Sequence, residues 1–265
     1  MLYIDNFHQF STKISHDENG DKSFSLIFDT APSSQEKIGI FCVMDGVSST
    51  DGAAQSSALA SKEIRANLAS VISDIDILVK MDESEKMQYF FSVMRKAILS
   101  ADKLLWNAPA YFACTVSIAI VFGDWVYTAN VGDSPIYLYD SFTEELNEIY
   151  TCQNEAGYKV RRGEITKEEA LTDRSRNHLL KSVGGKAMIT DTDVSTMKQL
   201  LPQEGILMLG SDGALGVFNE EKLGEVVAGN RVNMKKLCNA IYEQVVEEKG
   251  KDDTTLIAAR ICVGF

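Results

Sequence analysis

Residues 38–44 read IGIFCVM, a nearly unbroken apolar run that stops at Asp45-Gly46. Such a run, bounded by a turn signal and rich in branched and aromatic side chains, reads as a strand buried on both faces. Its sheet must therefore be covered on either side. The closing carboxylate then sits where burial is costly unless something pairs with it.

The rest of the chain supplies the covering layers. Residues 24–28 form a further strand-like run. From 115 to 139 short stretches rich in Val, Ile, Tyr and Thr are punctuated by Gly123-Asp124 and Gly132-Asp133, the pattern of antiparallel strands joined by tight turns. Strands are also expected over 192–199, 205–209 and 254–263. Helices are expected from 51 or 52 to 68, over 84–105 and over 234–246. In the second, Met87, Phe90, Phe91, Met94, Ile98, Ala101 and Leu105 share one face, and Ser84 is the expected cap. Residues 151–187 are polar, with short helical patches, and form a candidate functional flap. Strands come in groups with long amphipathic helices between them, which favours antiparallel sheets covered by helices over an alternating parallel sheet.

A chain of 265 residues with this patterning is expected to be one domain, 1–265. Its formal charge of -12, from 26 Lys+Arg against 38 Asp+Glu, disfavours a nucleic-acid partner. The five cysteines form no CxxC pair, and four lie in apolar surroundings. They read as reduced core thiols of a cytoplasmic protein. The N-terminal residues lack a signal-peptide pattern, and no stretch approaches the ~18 uninterrupted apolar residues of a membrane span.

Three aspartates share one context. Asp45 follows IGIFCVM, Asp212 follows ILMLGS, and Asp252 precedes TTLIAARI. A fourth, Asp133, lies in Asn130-Val131-Gly132-Asp133-Ser134 between two strands. Carboxylates gathered at strand ends suit hard cations such as Mg2+ and Mn2+, which take oxygen ligands. An Asp-Gly pair equally marks a plain turn, and spacing alone leaves the two readings open. The three histidines, His8, His16 and His178, form no HxH or HExxH pattern, which argues against a histidine-held zinc. GxSxG and P-loop motifs are lacking as well.

In order along the chain, Val43-Met44-Asp45-Gly46, residues 113–121, Ala129-Asn130-Val131-Gly132-Asp133-Ser134, residues 160–166, Asn177-His178-Leu179 with Gly184-Gly185, Leu209-Gly210-Ser211-Asp212-Gly213 and Asp252-Asp253-Thr254-Thr255 resemble the motifs of the metal-dependent protein phosphatases (the PPM or PP2C family), bacterial members especially. Each motif alone is weak; their order and spacing over about 16–260 carry the resemblance. It implies an α+β fold, a four-layer α-β-β-α sandwich of two antiparallel sheets flanked by helices. It also implies a site of two Mn2+ or Mg2+ ions, with a third in bacterial members. Carried over by position, Asp45 bridges the pair and the Gly46 carbonyl binds the second metal. Asp212 and Asp252 bind the first, Asp133 with Asp212 serves the third, and Asp21 acts through waters. Thr255 orients Asp252.

Three positions depart from the family pattern. Val47 stands where a proton-donating histidine is common. Gly20 stands where a glutamate would bind the second metal. His16 stands in place of a phosphate-binding arginine, and holds phosphate less well than a bidentate guanidinium. The activity implied is hydrolysis of phosphoserine and phosphothreonine in proteins by a metal-bridged water, with a phosphorylated substrate of a Ser/Thr kinase as partner and a monomeric, cytoplasmic enzyme. The departures motivate an alternative, a pseudophosphatase acting as a phosphoprotein-binding regulatory module. A phosphatase for small molecules is a third reading.

Overall fold

The computed structural model describes residues 1–13, 18–31, 36–248, 250 and 252–264. In chain order the elements are β1 (Leu2–Thr12), β2 (Asp21–Asp29), β3 (Lys37–Asp45), α1 (Ala53–Ser73), a short α2 (Ile75–Leu78), α3 (Glu83–Trp106), β4 (Ala113–Cys114), β5 (Val116–Phe122), β6 (Trp125–Val131), β7 (Ile136–Asp140) and β8 (Leu146–Glu148). There follow α4 (Glu155–Arg161), α5 (Lys167–Thr172), β9 (Val183–Gly184), β10 (Ser195–Leu200), β11 (Glu204–Gly210), α6 (Asp212–Leu215), α7 (Glu220–Asn230), α8 (Met234–Glu247) and β12 (Thr254–Val263).

Two antiparallel five-stranded sheets form the centre, ordered β1-β12-β11-β7-β8 and β10-β6-β5-β3-β2, and a small β4-β9 pair lies apart from them. Alternation along each strand separates the layers. In β3, Ile40, Cys42 and Met44 face α1 and α3, meeting Ile64, Leu68, Phe90 and Met94. The alternate residues Phe41 and Val43 point into the space between the sheets, against Leu207, Leu209, Ile257 and Ala259. On the other sheet Ile206, Met208 and Leu256 face outward onto Leu237, Ile241 and Val245 of α8. The apolar run over 38–44 is thus buried on both faces, each large side chain contributing about 1.5–3 kcal/mol relative to exposure. The arrangement is the expected α-β-β-α sandwich.

Local boundaries differ from the sequence reading. The α3 cap is Asp82, not Ser84: its carboxylate accepts from the N–H groups of Ser84 and Glu85, and the Glu85 side chain accepts from the Asp82 N–H. That reciprocal pair satisfies donors that Ser84 alone would leave open. Helix α1 runs on to Ser73 instead of ending at 68. Residues 191–193 form a single 3-10 turn, so the strand expected from 192 starts at Ser195. Strand β1 and helix α7 were not foreseen. Among the described residues no helix is long and apolar enough to cross a membrane.

Candidate metal centre

The chemistry-bearing residues lie where strands end. Asp45 closes β3 and Asp21 opens β2, and the two are direct register partners. Their backbones are anchored separately. The Asp45 N–H donates to Thr115 Oγ1 at 3.2 Å, and the Thr115 N–H donates to the Asp45 carbonyl at 2.8 Å. Thr115 Oγ1 lies 2.6 Å from Ser134 Oγ, which ties Asp45 to the loop that carries Asp133. The Asp21 N–H donates to Asn19 Oδ1 at 2.8 Å.

Gly46 turns the chain from β3 toward α1. A Cβ there would meet the Ala53 carbonyl oxygen at 2.2 Å and the Gly20 carbonyl oxygen at 2.7 Å, so only glycine permits this approach. On the opposite sheet Asp212 opens α6 directly after β11. Ser211 clamps this turn to the end of the chain: its N–H donates to the Thr255 carbonyl at 3.0 Å, and its hydroxyl accepts from the Thr255 N–H at 3.1 Å. A Cβ on Gly213 would lie 2.2 Å from the Asp253 carbonyl oxygen, which explains the glycine after Asp212. Asp252 is exposed and accepts from the Asp253 N–H at 2.9 Å; Asp253 is buried.

These segments surround a cavity of about 210 Å³ with Glu18, Asp21, Asp45, Gly46, Asp252 and Asp253 in its wall. A larger cavity of about 550 Å³ has Asp133 and Asp212 in its wall and runs beneath α4 and α5. Burial pushes the Asp45 carboxyl well above the usual range, and the charges of Asp21, Asp212, Asp252 and Asp133 add to the effect. Asp21 is raised to about 6, mainly by burial, while the hydroxyls of Ser211 and Thr255 pull it back. Asp133 is raised to about 7 by burial and by Asp212, against the pull of Asn154 and Arg176.

So much like charge at one edge calls for cations. Two observations fit that need. The donors are all oxygens, as hard divalent ions prefer. Asp21 Oδ2 is buried and has no hydrogen-bond partner among the described residues, a costly state that a cation or its bound water would relieve. Among the described residues no three His, Cys, Asp or Glu side chains form a closed cage, so the carboxylates ring cavities rather than clasp one point.

The family follows from sequence comparison: a sequence model described as protein phosphatase 2C matches residues 28–227. The chain belongs to the protein phosphatase 2C family. Among curated relatives, a serine/threonine phosphatase, stp, of Listeria monocytogenes is 28% identical over 144 residues, which is 54% of this chain and 54% of that protein. The chain thus matches about half the length of these curated relatives. The fold is also that of solved family structures. Stp1 from Staphylococcus aureus superposes with a TM-score of 0.76 at 20% identity, over 97% of this chain and 94% of that one. The catalytic domain of the serine/threonine protein phosphatase PstP, in complex with two manganese ions, superposes with a TM-score of 0.71 at 17% identity, over 99% of this chain and 100% of that one.

Within this family member, Asp21, Asp45, Gly46 and Asp252 share the wall of one cavity, and Asp133 and Asp212 share the wall of the other. His16 lies outside the described residues. Val47 is pinned by its backbone, its N–H donating to the Ala113 carbonyl at 2.9 Å. The sequence reading missed three contributors. Asn154 donates from Nδ2 to Asp133 Oδ2 at 2.8 Å; Arg176 donates to the Leu171 and Gly216 carbonyls at 2.8 and 3.2 Å; Asp253 accepts from the Gly20 N–H at 2.7 Å. The pairings with Asp133, Gly216 and Gly20 join segments distant in sequence, so no local signal gave these roles.

Proposed function

We propose that this chain is a metal-dependent protein phosphatase hydrolysing phosphoserine and phosphothreonine. The observation that carries the reading is that Asp21, Asp133, Asp212 and Asp252, drawn from 21 to 252 in the sequence, gather at the strand ends and cavity walls within electrostatic reach of Asp45. Divalent ions, Mn2+ or Mg2+, would be held by Asp45, Asp212, Asp252 and the Gly46 carbonyl, with Asp21 acting through waters and Asp133 serving a further ion. Bound there, such ions supply Lewis acidity and water activated at neutral pH.

The remaining work falls to the protein. The Thr115–Ser134 hydroxyl pair fixes the Asp45 backbone, so its carboxylate is aimed before any ion arrives. The Ser211–Thr255 clamp does the same for Asp212. The wall beneath α4 and α5 borders Asp133 and offers Arg161, Lys167 and Arg176 to a bound phosphoprotein segment. Val47 has no ionisable proton to donate, so protonation of the departing Ser or Thr alkoxide would fall to metal-bound water or go unassisted. The five cysteines are all free of disulfides, which suits a reducing, cytoplasmic setting, and one domain acting as a monomer on the products of a Ser/Thr kinase fits this reading.

The test is hydrolysis of phosphoserine and phosphothreonine peptides with Mn2+ and with EDTA. Turnover that EDTA abolishes supports the proposal, and full turnover in EDTA overturns it. A second reading rests on Gly20 and Val47: a pseudophosphatase that binds phosphoproteins without turnover. Phosphopeptide binding with no hydrolysis in Mn2+ selects it.

A further inference from the structure

Gly20 has no side chain to offer the cavity, yet a carboxylate lies where one would go. A Cβ built on Gly20 would sit 3.5 Å from Asp253 Oδ2 and 3.6 Å from the Gly46 carbonyl oxygen, both ordinary contacts. The direction in which a residue-20 side chain would grow is therefore toward Gly46, and the Asp253 carboxylate already stands beside that path. Asp253 is 3% exposed, and its Oδ2 accepts the Gly20 N–H at 2.7 Å. The Gly20 carbonyl in turn accepts the Gly46 N–H at 3.2 Å. A continuous chain of contacts thus runs from Asp253 through Gly20 to Gly46, between segments 233 residues apart.

We propose that Asp253 supplies the negative charge for the cation held at Gly46 that position 20 lacks, and positions the Gly46 backbone through Gly20. This rests on the metal-dependent reading above. A buried carboxylate is costly without compensation. The Gly20 N–H offsets part of that cost, and a divalent ion beside the carboxylate would be a strong further source of compensation. Asp253 shares the cavity wall with Asp21, Asp45 and Gly46, so its charge acts on the same space.

The experiment is calorimetric titration of the chelator-stripped protein with MnCl2, independent of turnover. Wild type is expected to show two binding events. Asp253→Asn keeps an amide oxygen for the Gly20 N–H and removes only the charge. It should retain the first event and weaken the second by at least about 10-fold. Adding Gly20→Glu to Asp253→Asn returns a carboxylate at position 20, where a Cβ meets Ala53 Cβ at an ordinary 3.4 Å, and should restore the second event. Thermal melts in chelator establish that both variants fold. Two unchanged events in Asp253→Asn, or a double variant as weak as the single one, would overturn the assignment. Wild type that binds no Mn2+ would instead sink the metal-dependent reading on which it rests.

Discussion

Asp21 and Asp45 face each other as register partners on neighbouring antiparallel strands, so the fold sets a buried carboxylate beside a half-buried one. Like charges directly opposite on a ladder are destabilising. Here Asp212, Asp252 and Asp133 add to the load on Asp45. A structure that accepts this arrangement is built for an occupant of opposite charge.

Replacing Asp45 should therefore separate stability from activity. Asp45→Asn keeps the shape and removes a charge that four other carboxylates oppose. Phosphopeptide hydrolysis in Mn2+ is expected to fall at least about 100-fold. In EDTA at neutral pH the same variant is expected to gain about 1 kcal/mol, or roughly 2–4 °C in melting temperature. Calorimetric melts in EDTA and in Mn2+ check both. A variant less stable than wild type in chelator would contradict the account of the cluster.

The cluster also sets the pH response of the chelated protein. Asp21 and Asp133 are raised in the folded state to about 6 and about 7. Unfolded aspartates titrate near about 3.9. Below about pH 3 both states are largely protonated and the groups contribute little difference. As pH climbs, the unfolded chain releases its protons first, so stability falls between about pH 4 and 7 and levels off above. Melting temperature in EDTA should drop from pH 5 to pH 8, and saturating Mn2+ should flatten or reverse the trend. A rise with pH in chelator would be the wrong sign.

Arg176 joins α5 to the C-terminal end of α6, donating to the Leu171 and Gly216 carbonyls while its charge favours the ionised form of Asp133. Hydrogen bonds from a charged group are worth about 1.5–3 kcal/mol. Arg176→Ala should loosen the segment above the larger cavity without unfolding the sandwich. Amide hydrogen exchange in Glu155–Arg161 and Lys167–Thr172 should quicken by about 10-fold or more, while β5, β11 and β12 stay protected. Equal acceleration throughout the sheets would show a global effect instead.

The sequence made Asp45, Asp212 and Asp252 legible because each borders a long apolar run, and a charge at such a boundary is conspicuous. The double burial of β3 was legible for the same reason. Strand β1 was not: it is an edge strand with mixed exposure, and its register with β12, such as Ser11 with Thr255, spans nearly the whole chain. The α3 start was misplaced because Ser84 is itself a good capping residue, whereas the reciprocal pair forms between Asp82 and Glu85 three residues on. Asp253 stood within a recognised motif, but its contact with Gly20 is created by folding alone.

Gly46 gives the sharpest steric test. Its N–H donates to the Gly20 carbonyl, and the Ala53 carbonyl lies 2.2 Å from where a Cβ would stand. Neither obstacle is the tip of a flexible side chain; both are backbone, so Gly46→Ala must push β3 and the start of α1 apart. The expected cost is about 1–3 kcal/mol, as for overpacking elsewhere. The same displacement moves the Gly46 carbonyl away from Asp45, so Mn2+ affinity and phosphopeptide turnover should both fall, by at least about 10-fold. Denaturant titration, Mn2+ calorimetry and turnover measured on one preparation check this. A stable variant with unchanged Mn2+ binding would show that the close approach of Gly46 to Ala53 has no bearing on the site.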